Sequence, residues 1–167
     1  MITRILRESD AESYHKLRLE ALQTNPEAFG STYEREAAFT QAAVIERIRP
    51  NKDKFVLGAF NESGHLVGIV TFIRESGVKM AHKGHIYGMY VAEEMQGKGL
   101  GKTLLLELIR KAKECDGLEQ LNLTVVAHNE AAKKLYGSLG FQRYGVERNA
   151  LKYDGRYADE DLMVLWL

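Results

Sequence analysis

The sequence has 167 residues, 45% hydrophobic and 28% charged, which suits one folded domain and excludes a disordered chain. Lysine plus arginine number 23 and aspartate plus glutamate number 23, so no bulk field draws the chain to nucleic acid or anionic lipid. One cysteine, Cys115, excludes an internal disulfide framework and any multi-thiolate zinc site.

Residues 1–7 read as a short strand, too interrupted by charge for a signal peptide. Ser9 followed by Glu12 fits a capping box, and Tyr14, Leu17, Leu19, Ala21 and Leu22 carry a helix to about Thr24. Asn25-Pro26 ends it, and the stretch 26–39 has no clear period. Thr40 can cap a helix through Val44, Ile45 and Ile48, stopped at Pro50. Phe55–Phe60 and Leu66–Ile73 are apolar and strand-like, and Asn61-Glu62-Ser63-Gly64 between them predicts an antiparallel hairpin.

His85–Val91 reads as another strand. Leu100–Cys115 is the clearest helix, with Leu104, Leu105, Leu108, Ile109 and Ala112 on one face. Leu121–Ala127 reads as a strand, and Asn129–Leu139 as a helix that Gly140 can end in a left-handed cap. Strands over roughly 141–152 and 157–166 follow, separated by Asp154-Gly155. The order β α α β β β α β α β β, with a strand–helix–strand crossover from 85 to 127, predicts an α/β (α+β) fold on a mixed sheet. With two prolines and no linker or repeat, residues 1–167 read as one domain. No apolar run approaches the roughly 18 residues that span a bilayer, so the expected location is cytoplasmic.

The most informative stretch is Val91-Ala92-Glu93-Glu94-Met95-Gln96-Gly97-Lys98-Gly99-Leu100-Gly101-Lys102-Thr103. Its three glycines join a strand to a good helix. Glycine permits positive φ and close approach of a ligand, and a helix start offers unpaired N–H groups and a positive dipole end. This reads as a pyrophosphate cradle, or as a tight turn that only packs. A Walker A loop would need glycine where Gln96 stands, and the dinucleotide fingerprint would need one where Lys102 stands. The pattern Q/R-x-x-G-x-G/A is met in full by Gln96, Gly99 and Gly101.

That segment resembles the acyl-CoA-binding motif of the GNAT superfamily of N-acyltransferases. A second block, Asn129-Glu130-Ala131-Ala132-Lys133-Lys134-Leu135-Tyr136-Gly137-Ser138-Leu139-Gly140-Phe141, is similar to that family's N-x-x-A-x-x-L-Y-x-x-x-G-F. The two blocks, in this order with a strand between, span residues 85–141, about a third of the chain. The resemblance implies a twisted, mostly antiparallel sheet of about seven strands flanked by about four helices. It also implies direct transfer of an acetyl group from acetyl-CoA, as co-substrate and without a metal, to an amine.

The resemblance further implies roles. The backbone of Met89, Tyr90 and Val91, splayed from the neighbouring strand, would bind the pantetheine arm and polarise the thioester carbonyl. The amides of Gln96, Gly97, Lys98, Gly99, Leu100, Gly101 and Lys102 would hold the pyrophosphate. Asn129 and Ala132 would meet the cofactor arm, although asparagine there is also an ordinary N-cap. Tyr136 would protonate the departing thiolate, although it also sits beside a packing stripe of Leu135 and Leu139. A base is needed because an amine with a pKa near 10 is mostly protonated at neutral pH. Candidates are Glu34 and His85, with Glu36, His82 and Tyr87 behind them. Strand alternation would put His85, Tyr87, Met89 and Val91 on one face unless a bulge intervenes.

Two rival functions remain: a non-catalytic acyl-CoA-binding or sensing module, and a nucleotide-dependent phosphotransferase using Gly101-Lys102-Thr103. The latter lacks both the Walker glycine and an Asp-ended apolar strand. The expected partners are acetyl-CoA and an amine such as a small molecule or a protein N-terminus, with no nucleic acid or membrane, in a monomer or homodimer. Asp159, Glu160 and Asp161 could attract a cationic amine, but read first as a solvated charge cluster.

Overall fold

The computed structural model describes residues 1–167. The strands are β1 (Ile2–Ile5), β2 (Lys54–Phe60), β3 (Leu66–Arg74), β4 (Lys83–Val91), β5 (Gln120–Val126), β6 (Gln142–Tyr153) and β7 (Arg156–Trp166). The helices are α1 (Ala11–Thr24), α2 (Tyr33–Ala37), α3 (Gln41–Ile48), α4 (Leu100–Lys113) and α5 (Glu130–Ser138). One sheet takes all seven strands in the order β1-β2-β3-β4-β5-β7-β6. Every pairing is antiparallel except β4 with β5, the pair that α4 connects.

Local signals place most elements. Thr40 caps α3 by accepting from the Ala43 N–H at 3.1 Å. Gly140, at φ 96°, takes the left-handed cap that its position predicts, and Gly64 in the β2–β3 hairpin loop is left-handed too, at φ 80°. The capping box at Ser9 and Glu12 does not form. Asp10 does that work instead: its carboxylate accepts from the Arg7 N–H at 2.7 Å and from both arms of Arg4 at 2.7 and 2.8 Å. A charged acceptor with a bidentate partner outcompetes a hydroxyl for the turn. The ambiguous stretch holds a fifth helix, the short α2, capped by Thr32.

The two sheet faces are covered differently. On one, α4 buries Leu104, Leu105, Leu108 and Ala112 completely against β2, β3 and β4. Each such leucine contributes about 1.5–3 kcal/mol by leaving water. On the other, α1 packs on β3, and α2 and α3 pack on α1. No helix is long and apolar enough to cross a membrane.

Close packing at the root of β4 yields a test. A Cβ on Gly84 would lie 2.4 Å from Cε2 and 3.1 Å from Cζ of Phe72, a fully buried ring stacked on Phe55 at 5.0 Å. A ring wedged this way cannot step aside as a flexible chain end can. Gly84→Ala should lower stability by about 1–3 kcal/mol, read from urea denaturation at constant m-value.

Candidate active site

The site begins with one extra residue in β4. Ile69 of β3 pairs with Tyr90 and Thr71 with Tyr87, so three steps on β4 span two on β3. Gly88 absorbs the mismatch at φ 57°. The bulge reverses the side-chain parity. Before it, Tyr87 pairs with Thr71 and His85 with Ile73, on the α1 face. After it, Met89 and Val91 face α4: their Cε and Cγ2 would lie 3.0 and 3.9 Å from a Cβ on Gly101. The four residues therefore do not share a face, which corrects the expectation from simple alternation. The Tyr90 ring goes to the α1 side, where its hydroxyl lies 3.1 Å from both Glu20 Oε1 and Thr24 Oγ1.

The bulge also marks where the sheet opens. The parallel ladder of β4 with β5 has three rungs, Lys83–Gln120, Gly84–Leu121 and His85–Asn122. Beyond His85, β4 has no partner on that side. A cleft of about 720 Å³ lies in the opening, lined by Ile86–Met89 of β4 and Leu123–Val126 of β5. Asn129, Ala132, Leu135 and Tyr136 of α5 also line it, as do Tyr14 and Arg18 of α1.

Tyr136 is 8% exposed, and its ring meets Phe141 edge-on at 5.9 Å. Burial pushes its phenol up to about 12. Asn129 caps α5, accepting from the Ala132 N–H at 3.2 Å with Oδ1 and leaving Nδ2 unengaged beside the cleft.

The glycine loop packs behind this cleft: a Cβ on Gly101 would lie 3.0 Å from Met89 and 3.3 Å from Leu135, two residues that line it. Gln96 closes the loop on itself, its Nε2 donating to the Val91 carbonyl at 2.9 Å. Gly97 and Gly99 hold φ of 73° and 80°, and a Cβ on either would meet nothing within 4 Å. Gly99 is the N-cap of α4, so the next N–H groups lie at an open helix start. Lys98 and Lys102 are exposed and free of ion pairs. Positive φ, open space, free amides and two uncommitted cations together fit a pyrophosphate.

The candidate bases fall elsewhere. Glu34 is exposed and lines a second cavity of about 720 Å³ with Tyr33, Lys152, Tyr153 and Tyr157. The two cavities share Phe29, Gly30, Ser31 and Leu151. His85 lies 2.8 Å from Glu75 and stacks on Tyr87 at 5.7 Å, at the end of β4 still paired with β5. Neither lines the cleft that holds Tyr136, and Glu36 is committed to arginines. The three acids of β7 do not form a solvated cluster. Asp161 is buried and faces Lys133 at 3.2 Å; Asp159 accepts from the Asn149 N–H at 2.8 Å. Glu160 lines the cleft and is the one carboxylate to do so.

Pattern reading also missed a buried ion-pair cluster. Arg18 Nε and Nη2 donate to the two oxygens of Glu36, both at 3.0 Å, and Arg47 Nη2 reaches Oε1 at 3.3 Å. The Arg18 and Glu36 side chains are 6% and 1% exposed. Burial pushes the Glu36 carboxyl up, but the Arg18 hydrogen bonds and charge and the Arg47 charge outweigh it, and the net shift is down. A signal was present: Arg18 falls inside the stripe Tyr14, Leu17, Ala21, Leu22, where an arginine must bury its head and find a partner.

Residues 9–141 match the model of the acetyltransferase (GNAT) family. The [ribosomal protein uS5]-alanine N-acetyltransferase of Escherichia coli is 24% identical over 123 residues, 73% of this chain and 62% of that protein. The mycothiol acetyltransferase of Kocuria rhizophila is 42% identical over 64 residues, 38% of this chain. The match spans only 21% of that longer relative. The crystal structure of a GNAT superfamily phosphinothricin acetyltransferase from Sinorhizobium meliloti, in complex with AcCoA, shares the fold. Its TM-score is 0.84 over 99% of this chain and 88% of that one, at 22% identity.

The ion-pair cluster gives a stability prediction. Glu36→Ala strands a buried guanidinium and should cost about 3–5 kcal/mol. The Glu36 carboxyl titrates lower folded than unfolded. Its stabilisation is therefore present above the ordinary carboxylate range, near pH 4.3, and is lost as pH falls through the folded value. Glu36→Gln should lose that component of the acid limb in urea titrations between pH 6 and 3.

Proposed function

The chain belongs to the GNAT family of acetyltransferases, and on that premise we propose that it moves an acetyl group from acetyl-CoA directly to a primary amine. The observation that carries this reading is that the unpaired edge of β4 and Tyr136 line one cleft, with the glycine loop packed directly behind two of its lining residues, Met89 and Leu135. Acetyl-CoA, when bound, supplies an acyl group activated as a thioester.

The chain's residues supply the rest. The amides of Gly97 through Lys102 hold the pyrophosphate, and Lys98 and Lys102 add charge; the Gln96 N–H, expected to join them, is spent on the Glu93 carbonyl at 3.1 Å. The backbone of Met89, Tyr90 and Val91 binds the pantetheine arm and polarises the thioester carbonyl. Asn129 Nδ2 and the small Ala132 border that arm. As the new C–N bond forms and the C–S bond breaks, Tyr136 gives its proton to the departing sulfur, and Glu160 accepts the ammonium proton, directly or through water. Glu160 is preferred to Glu34 and His85 because it lines the same cleft as Tyr136. Among relatives, one is named for an alanine of ribosomal protein uS5 and another for phosphinothricin. A binding module without chemistry would not need a tyrosine in the lining of the cleft, so Tyr136 favours the enzyme.

Turnover of acetyl-CoA with a panel of amines tests this directly. Tyr136→Phe keeps the ring and its packing on Phe141 but removes the donor. Turnover should fall about 10²-fold while acetyl-CoA affinity and melting temperature stay near the parent's. Because burial holds the phenol near 12, the proton donor persists where an ordinary tyrosine would be half ionised. The parent rate should show no alkaline fall centred on pH 10.

The glycine loop is tested separately. A Cβ at Gly99 meets no protein atom, and aspartate tolerates positive φ better than most residues. Gly99→Asp therefore places a negative charge beside the pyrophosphate without an internal clash. Acetyl-CoA affinity should fall tenfold or more by calorimetry. Unchanged affinity in the folded variant counts against the cradle.

A further inference from the structure

We propose that the amine acceptor is an amino acid whose carboxylate is held by Arg18 on the α1 side of the cleft; this rests on the acyl-transfer reading above. The starting point is an incomplete set of hydrogen bonds. Arg18 spends Nε and Nη2 on Glu36, and its guanidinium lies 4.8 Å over the Phe29 ring. Its remaining nitrogen, Nη1, is buried and has no acceptor in the protein. Ser31 Oγ is likewise buried without a hydrogen-bond partner, although its hydroxyl lies near enough to Glu36 to favour the ionised carboxylate. Both residues line the cleft. Buried donors are nearly always satisfied, and a set left open beside a cavity is completed by what the cavity binds.

Position and charge specify the ligand. A Cβ on Gly88 would lie 3.6 Å from Arg18 Nη1, so the free nitrogen abuts the bulge of β4, one residue before Met89. An anion there keeps an amine only a few bonds away beside the open strand edge. The one carboxylate of Glu36 is shared between Arg18 and Arg47, so the cluster carries a surplus positive charge. A guanidinium end with two N–H groups matches the two oxygens of a carboxylate. Glu160 supplies the opposite sign. Through Val126 of β5 it lies in register with the strand positions facing α1, the same side as Arg18. A cation-binding and an anion-binding group on one side of one cleft fit a zwitterion with its amine close to its carboxylate.

The experiment titrates the twenty L-amino acids, and the carboxamide of each, into the protein saturated with CoA. At least one acid should bind at least tenfold more tightly than its amide. Arg18→Lys keeps a cation beside Glu36 but has no second donor end, and should lower that acid's affinity about tenfold with the amide little changed. Ser31→Ala leaves the ion pair intact and should lower it severalfold, so the proposal does not hang on the folding of the arginine variant. If no acid binds better than its amide, or neither substitution alters the ratio, the carboxylate site is wrong. Acetylation of both panels is read in parallel. Amides acetylated as fast as acids overturn the amino-acid site and leave acetyl transfer standing; acids bound in this ratio but never acetylated support the site and overturn the transfer.

Discussion

At Gly88 three steps of β4 span two of β3, and the sheet cannot accommodate that mismatch without turning the strand. The left-handed φ of 57° suits a residue without Cβ. That constraint decides which side of the sheet the following residues face. Side chains that would have followed Tyr87 toward α1 are sent toward α4, and Met89 and Val91 are brought against the glycine loop. The strand also leaves β5 after three rungs, so a stretch of backbone that would be spent on a ladder borders a cleft instead. An unpaired edge inside a sheet has to be satisfied by water or by a ligand, since buried backbone groups do not stay orphaned.

The two sides of the cleft differ in chemistry. The α5 side is apolar around Ala132 and Leu135, and Tyr136 is the residue whose polar end matters there. The α1 side holds Arg18, Arg47 and Glu160, with Glu36 behind. Charges this deep are costly, and a hydrophobic replacement of similar volume would often be no less stable. Their presence therefore weighs toward recognition of a polar molecule. The arrangement also keeps Glu160, on the α1 side, apart from Tyr136 on α5.

The sequence by itself determined most of the elements, α2 apart, because each rests on interactions no longer than one helical turn or one strand. The stripe of α4, the Thr40 cap, the Asn129 cap and the positive-φ glycines 64, 97, 99 and 140 are all short-range. The loop from Gln96 to Lys102 and the helix bearing Tyr136 were legible for the same reason, and their spacing carried the family resemblance.

Only the tertiary structure decided which residues meet. The bulge at Gly88 is a matter of register between two strands, and alternation along one strand cannot reveal it. The Arg18–Glu36 pair joins residues 18 positions apart on different helices, and pattern reading had left the segment around Glu36 without a period. Glu160 looked like one of three exposed acids. Pairing β7 between β5 and β6 sends Asp161 into an ion pair under α5 and Glu160 into the cleft. His85 is the converse case: a chemically apt residue that lies outside the cleft, on the last rung of the β4–β5 ladder and 2.8 Å from Glu75. Local propensity places side chains on elements, but long-range pairing decides which of them share a cavity.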